Sequence, residues 1–452
     1  MSRKQLEPPS HVSYLCTKLE EAGFQAYIVG GAVRDLLRGV EPTDWDICTD
    51  AHPEEVASVF ETTLPTGVKY GTVTVLIDGR PLEVTTMRQD GTYTDGRHPV
   101  AVTFGTDLIE DLARRDFTIN AIAYSPIDDR YIDPFGGKRD IKKGIVRTVG
   151  DPKQRFQEDG LRILRFFRFV ATLDFKPHRA TSLAIDPNWL LPISKERIRD
   201  EFSRLITAQE PTYTLRLMHR RGVLGVVIPE LILCDDIPKG GFEKQSVLEH
   251  SMAVTGFVEP NLVLRLAALL HDVGKGKTLT WDRHGAHYYG HDRVGEVMVQ
   301  DILGRLRYSK KVINQVSHLV RWHMFQIAPA ATKRALRRFI ARVGKDTVDD
   351  LLKLRCADIL GSQPRDMVQA RSYLESLTQQ MREILQEDEV FSLQDLAVDG
   401  RDLQTYLELR PGPIIGSTLS YLLEQVIDEP DLNQRDILLQ LAADHLNTNK
   451  TN

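Results

Sequence analysis

Near Asp151 the hydrophobic rhythm of this 452-residue chain changes, and the change excludes most architectures. Before it, the short β-branched runs AYIVGG and GTVTVLI alternate with helically spaced segments, GAVRDLLRG and PEEVASVF, that stop at Gly or Pro. After it, apolar residues recur at intervals of three and four in RFQEDGLRILRFFRFVATL, PTYTLRLMHRRGVLGVV and NLVLRLAALLHDVG. The expected fold class is therefore α+β, a mixed-sheet unit over residues 1–145 followed by an all-helical remainder. So long a chain cannot bury its apolar set in one core. Further boundaries are expected at the KGGF break (Lys239–Phe242) and at the acidic QEDEV near Gln386, and no fixed-period repeat is present.

Composition narrows the function classes. Hydrophobic residues make up 42% and charged residues 27%, the balance of an ordinary folded protein. No stretch approaches the ~20 apolar residues of a membrane span, and the first residues lack the apolar core of a signal peptide, so a cytoplasmic location is expected. Cys16, Cys48, Cys234 and Cys356 show no CxxC spacing and read as reduced thiols. A net charge of −5 argues against a surface coated in positive charge, but nucleic-acid binding needs only a local basic face. From Gly304 to Lys345 there are eleven Lys and Arg and no Asp or Glu, which reads either as a phosphate-tracking surface or as solvated helix faces.

The sequence EPTDWDICT follows YIVGG and a short predicted helix. In an extended segment, residues two apart point the same way, so Asp44 and Asp46 would present two carboxylates about 7 Å apart to one point. Hard oxygen ligands of this kind suit Mg²⁺. Gly30 and Gly31 allow close approach of a triphosphate, with helix-start amides nearby. Glu83, in PLEVTT, alternates so that it could join the same site, although a strand-edge glutamate is also commonly just solvated.

GGAVRDLLRGVEPTDWDICT and RRDFTINAIA together resemble the head of the bacterial class II tRNA nucleotidyltransferases, the CCA-adding enzymes and their poly(A) polymerase relatives. DPKQRFQEDGLRILRFFRF resembles the nucleotide-selecting segment of that family, and ISKERIRDEF the last of its head-and-neck motifs. The resemblance implies a polymerase-β-like head (1–145), a helical neck that selects the base (146–215), a helical body (216–375) and a tRNA-binding helical tail (376–452). It also implies tRNA, CTP and ATP as partners, and two-metal attack of the tRNA 3′-hydroxyl on the α-phosphate at Asp44, Asp46 and Glu83. Nucleotide contacts are carried over to Gly30, Gly31, Arg34, Arg114, Arg115, Asp116 and Asn120. Base choice falls to Asp159, Arg162 and Arg165, expected on one face of a single helix. On the residues alone, Glu158 and Arg162 would read as an ordinary helix-surface ion pair. The Gly-, Asp- and Thr-rich segment from Arg88 to Pro99 is expected to be a flexible loop, of the kind that accompanies the switch from C to A addition in that family. Full CCA addition, A-only addition beside a separate CC-adding enzyme, and poly(A) synthesis all stay open.

VLEHS, LLHDVGKG, GHDRVGE, VRWHM and RCADILG place His250, His271, Asp272, His291, His323 and Asp358 in the order met in the HD phosphohydrolases, which they resemble. Imidazoles with carboxylates suit Mn²⁺, Ni²⁺, Co²⁺ or Fe²⁺. The likeness implies hydrolysis of phosphate esters such as 2′,3′-cyclic phosphates. A chain that is mainly such a phosphohydrolase, with an RNA-binding head, is the alternative from another class.

Overall fold

The computed structural model describes residues 7–68, 71–90, 102–239, 245–325, 327, 331–362, 367–387 and 390–450. The chain divides into two compact units, residues 1–232 with 305–308, and residues 233–304 with 309–452.

In the first unit the β-branched runs form strands: β1 (Ala26–Val29), β2 (Asp46–Thr49), β3 (Thr63–Gly67), β4 (Thr72–Ile77), β5 (Arg80–Thr86), β6 (Arg88–Asp90), β7 (Val102–Phe104), β8 (Ala123–Ser125) and β9 (Arg130–Ile132). Seven of them make one sheet in the order β3-β4-β5-β2-β1-β8-β9. The β2–β5 pair is parallel and its neighbours are antiparallel, which makes the sheet mixed, as expected. Ile28 and Ile47 face one apolar cluster, where the helix Ser10–Glu21 contributes Leu15 and Leu19. Their neighbours Val29 and Cys48 face a second cluster with Leu108 and Leu112. With both faces covered, the strand ends are where polar chemistry can reach solvent.

The register decides what meets there. Val29 pairs with Asp46 across the antiparallel β1–β2 ladder, and Asp46 stands level with Glu83 across β2–β5. Paired strands lie about 4.8 Å apart, so Asp46 and Glu83 stand side by side at this end of the sheet. Arg88–Asp90 corrects one expectation: it is the strand β6 paired with β7, because its backbone groups find partners in Val102–Phe104. Residues 91–99 of the expected loop lie outside the described residues.

Beyond Asp151 the first unit is helical apart from the two-residue strand Lys176–Pro177, which pairs with Ile145–Val146, and Pro152–Glu158, Leu161–Leu173 and Lys195–Ile206 are among its helices. The second unit is also helical, apart from the hairpin Thr280–Asp282/Gly285–His287. Its last helices, Gly400–Leu407, Pro413–Asp428 and Arg435–Lys450, close over Leu403, Leu422, Val426 and Leu438. Among the described residues no helix is long and apolar enough to cross a membrane.

Candidate functional site

A cavity of about 550 Å³ opens at the strand ends of the first unit, and its wall carries eight arginines and five aspartates. Gly30, Gly31, Arg34, Asp44, Asp46, Arg114, Arg115, Asp116, Asn120, Asp159, Arg162 and Arg165 all line it. Gly30 sits between β1 and the helix Gly31–Arg38 at φ +72°, where a Cβ would lie 3.2 Å from the Arg115 guanidinium and 3.4 Å from the Asp46 carboxylate.

Asp44 and Asp46 reach the cavity by a different route from the one expected. The strand β2 begins only at Asp46, and Asp44 lies before it in an exposed irregular segment, so strand alternation does not align the two. Glu83 flanks Asp46 by register but is not among the cavity-lining residues. Among the described residues these three carboxylates do not converge within the 4.8 Å that groups the tightest potential ligands. The protein wall around Asp46 raises its carboxyl above the ordinary value, with Glu83 and Asp44 adding to the effect and Arg115 opposing it. A bound divalent cation would relieve both the burial and the like charges beside it.

The arginines are held by a buried acid that the sequence did not single out. Asp111, fully buried, accepts from Arg114 at 2.6 Å and from Arg115 at 3.1 Å. A second hub is Asp116, which accepts from Asn120 Nδ2 at 3.1 Å and from Arg165 at 2.6 Å, while Asn120 Oδ1 accepts from Arg34 at 2.8 Å. Burial alone would raise Asp116, but Arg165 and Asn120 prevail and hold its carboxyl down at about 2. Arg165 in turn lies 3.6 Å from Glu201, which also pairs with Arg168.

Asp159, Arg162 and Arg165 do not share one helix, contrary to the expectation. One helix ends at Glu158, Asp159 is extended (φ −145°, ψ 105°), and the next helix starts at Leu161. Beside the break, Gly160 allows a close backbone approach. A Cβ there would lie 1.9 Å from the Trp189 carbonyl oxygen, so the backbone of this turn seats directly on that of residue 189. Asp159 is thereby freed to pair with Arg197 at 2.8 Å, while Arg162 pairs with Glu158 and donates to the Arg114 carbonyl at 3.0 Å. The Glu158–Arg162 ion pair is thus present and spans the break. Arg168, Arg197, Arg204 and Phe169 also line the cavity. Arg197 lies within the ISKERIRDEF segment, which carried the signal for it, whereas nothing local pointed to Asp111.

In the second unit, His250, His271, Asp272, His291, His323 and Asp358 come together. Their ligand atoms form two overlapping groups, His250–His271–Asp272 and Asp272–His291–His323, each within 4.8 Å. The Nδ1 atoms of His271, His291 and His323 face the carbonyls of Ala268, Tyr288 and Val320 at 2.8, 2.8 and 2.6 Å. Donating there fixes the tautomer and turns each Nε2 toward Asp272. His291 and His323 reach Asp272 Oδ1 at 3.4 and 3.5 Å. His250 Nε2 meets Asp358 at 3.0 Å, and Arg355 holds the other Asp358 oxygen at 2.7 Å. His271 Nε2 lies 3.2 Å from Asp272 Oδ2, and among the described residues His250 Nδ1 is buried without a hydrogen-bond partner. Burial lowers His250 and His291, which favours the neutral imidazole that a metal requires. Gly274 makes the convergence possible, since a Cβ there would lie 2.1 Å from the His291 carbonyl oxygen.

The basic stretch Gly304–Lys345 is not one open phosphate track. Arg305 pairs with Glu230, Arg321 with Asp292, Lys333 with Glu387, and both Arg334 and Arg338 with Asp428. These acids come from outside the stretch, so local charge counting could not foresee them.

Comparisons with known proteins agree with this geometry. Residues 26–147 match the poly A polymerase head domain family, 175–234 the family of an RNA and SrmB-binding site of polymerase A, and 292–442 the tRNA nucleotidyltransferase domain 2 family. The chain is 33% identical over 444 residues to a CCA-adding enzyme of Leuconostoc mesenteroides, covering 96% of each. It is 32% identical over 426 residues to that of Limosilactobacillus reuteri, covering 94% of this chain and 93% of the relative. The Bacillus stearothermophilus CCA-adding enzyme, solved in complex with CTP, superposes with a TM-score of 0.75 at 27% identity, covering 99% of this chain and all of that one. With the head-domain match, the identity and the near-complete coverage in agreement, the chain belongs to the CCA-adding enzymes, nucleotidyltransferases with a poly(A) polymerase head.

Proposed function

We propose that this protein adds C, C and A to the 3′ end of tRNA from CTP and ATP without a nucleic-acid template. The observation that carries the reading is an arginine-lined cavity, in which the Asp44 and Asp46 carboxylates, the Asp159–Arg197 pair and Arg162 face the same space. The carboxylates fit Mg²⁺ at Asp44 and Asp46, with Glu83 alongside. Such an ion would favour the 3′-hydroxyl as nucleophile and neutralise charge gathering on the departing pyrophosphate.

The remaining work belongs to the side chains. Arg34, Arg114 and Arg115 offer guanidinium groups to the triphosphate, anchored from behind by Asp35 and Asp111. Asp116 and Asn120 suit ribose hydroxyls. A carboxylate at Asp159 accepts from the exocyclic amine that cytosine and adenine share, and the guanidiniums of Arg162 and Arg165 donate to ring acceptors. Uracil and guanine place an oxygen where that amine would be, and two oxygens repel. The tRNA itself is read by shape and phosphate charge. Purified protein given labelled CTP alone or ATP alone tests the reading, on tRNA lacking CCA and on tRNA ending in CC. CTP should extend only the first and ATP only the second. Absence of CTP incorporation would leave an A-adding enzyme, and a long A ladder would leave a poly(A) polymerase.

A second reading concerns the histidine cluster, favoured by its two buried groups of ligand atoms that share Asp272. The donor set fits Mn²⁺, Ni²⁺, Co²⁺ or Fe²⁺, which would activate water for phosphoester hydrolysis. On a nucleoside 2′,3′-cyclic phosphate, water adds to phosphorus, one ring P–O bond breaks, and the released ribose oxygen takes the proton. His271→Ala with Asp272→Ala should abolish Mn²⁺ binding and hydrolysis while sparing CCA addition. Loss of CCA addition with Mn²⁺ binding intact would contradict it.

A further inference from the structure

The wall of the arginine-lined cavity carries eight guanidiniums, and seven of them are paired with an acid. Arg204 is the exception: it lines the same space, it is exposed, and among the described residues no carboxylate holds it. The helix Lys195–Ile206 explains why. Arg197, Glu201 and Arg204 follow at intervals of four and three and so share one face, which makes Glu201 the natural partner of Arg204. Glu201 is buried and already taken, by Arg168 at 2.5 Å and by Arg165 at 3.6 Å. A cavity-lining guanidinium is left with its charge unanswered.

Its setting separates it from the groups that hold the nucleotide. Arg34, Arg114 and Arg115 are fixed from behind by Asp35 and Asp111, which suits a triphosphate that must be kept in one pose. Arg197 marks the base end of the cavity through its pair with Asp159. Arg204 stands seven residues further along the same helix, about 10 Å away at ~1.5 Å per residue. Exposed and untethered, it can follow an anion that enters from solvent and shifts after each addition. The strand that does so is the 3′ end of the RNA, because its terminal hydroxyl must reach the α-phosphate and carries the last phosphodiester in with it.

We infer that Arg204 binds the last phosphodiester of the tRNA 3′ strand and not the incoming nucleotide, so that it anchors the primer while the paired arginines hold the triphosphate. The inference rests on the tRNA-extending reading and names a further substrate contact within that site. A phosphodiester carries the same charge whichever base it joins, so the contact serves C and A addition alike.

Filter binding of the full chain to tRNA ending in CC, and to the same tRNA stripped of its unpaired 3′ residues, tests this, with addition of A to the first followed in parallel. Arg204→Ala should weaken the CC-ending tRNA about tenfold and leave the stripped tRNA unchanged. It should also flatten the slope of log K against log salt by about 0.7, the share of one single-strand phosphate. KM for ATP and the preference for ATP over GTP should stay at wild type, and Arg204→Lys should keep the salt slope because it keeps the charge. Equal weakening of both tRNAs makes Arg204 an outlying phosphate contact, a raised KM for ATP makes it a triphosphate contact, and no effect makes it a solvated arginine. Each of the three overturns the inference. Arg204-dependent binding without addition of A sinks the tRNA-extending reading alone, and addition without Arg204 dependence sinks the primer contact alone.

Discussion

Asp116→Asn removes one negative charge from the centre of the cavity wall with almost no change in shape. In the folded protein Asp116 is held at about 2 against its ordinary 3.8, a gap worth about 2 kcal/mol at ~1.36 kcal/mol per unit. The amide forfeits that favourable field and turns an N–H₂ toward a guanidinium or an asparagine that both expect an acceptor. Its folded-state value is depressed, so the contribution is fully present above the unfolded value near 4 and is lost as pH falls from there through about 2. Denaturant unfolding of wild type and variant at pH 7 should therefore differ by about 2 kcal/mol, and the difference should shrink as pH falls below 4. Nucleotide affinity should fall as well, since Arg165 and Asn120 lose their common anchor. A variant with wild-type stability at pH 7 and unchanged KM for CTP would refute the hub.

Gly160→Ala should destabilise the first unit by about 3 kcal/mol, because its Cβ meets a backbone oxygen that cannot swing aside, and a thermal melt with Tm unchanged would show that the close approach tolerates a side chain. Arg197→Ala should lower discrimination of CTP and ATP over UTP and GTP by roughly tenfold, read in single-nucleotide incorporation, as Asp159 loses the partner that orients it; unchanged selectivity would argue against Asp159 as base reader. Removing metal with EDTA should stop CCA addition and Mg²⁺ alone should restore it, including in His271→Ala with Asp272→Ala. Recovery that required an intact histidine cluster would contradict the separation of the two sites.

The mixed sheet and the helical remainder were legible because two-residue and 3.6-residue rhythms are local properties of the chain. The histidine cluster was legible too, since His250, His271, Asp272, His291, His323 and Asp358 keep a fixed order even though Gly274 packing is what brings them together. What local pattern could not carry was anything set by distant backbone. The close backbone approach at Gly160 depends on the Trp189 carbonyl, and the neutralisation of Arg334 and Arg338 depends on Asp428, some ninety residues on. Asp111 escaped notice because a single acid in an amphipathic helix has no signature until two arginines are seen folded onto it. Asp44 and Asp46 were found by spacing, yet the spacing argument assumed a strand that starts two residues later.

The central claim is that Asp44 and Asp46 hold the metal for nucleotidyl transfer. Rapid-quench incorporation of labelled CTP into tRNA lacking CCA, by Asp44→Ala with Asp46→Ala, tests it most directly, with CTP binding followed separately. The account predicts a loss of transfer on the order of a thousandfold, matching several kcal/mol of transition-state stabilisation, with CTP still bound through the arginines. Transfer within tenfold of wild type would contradict it.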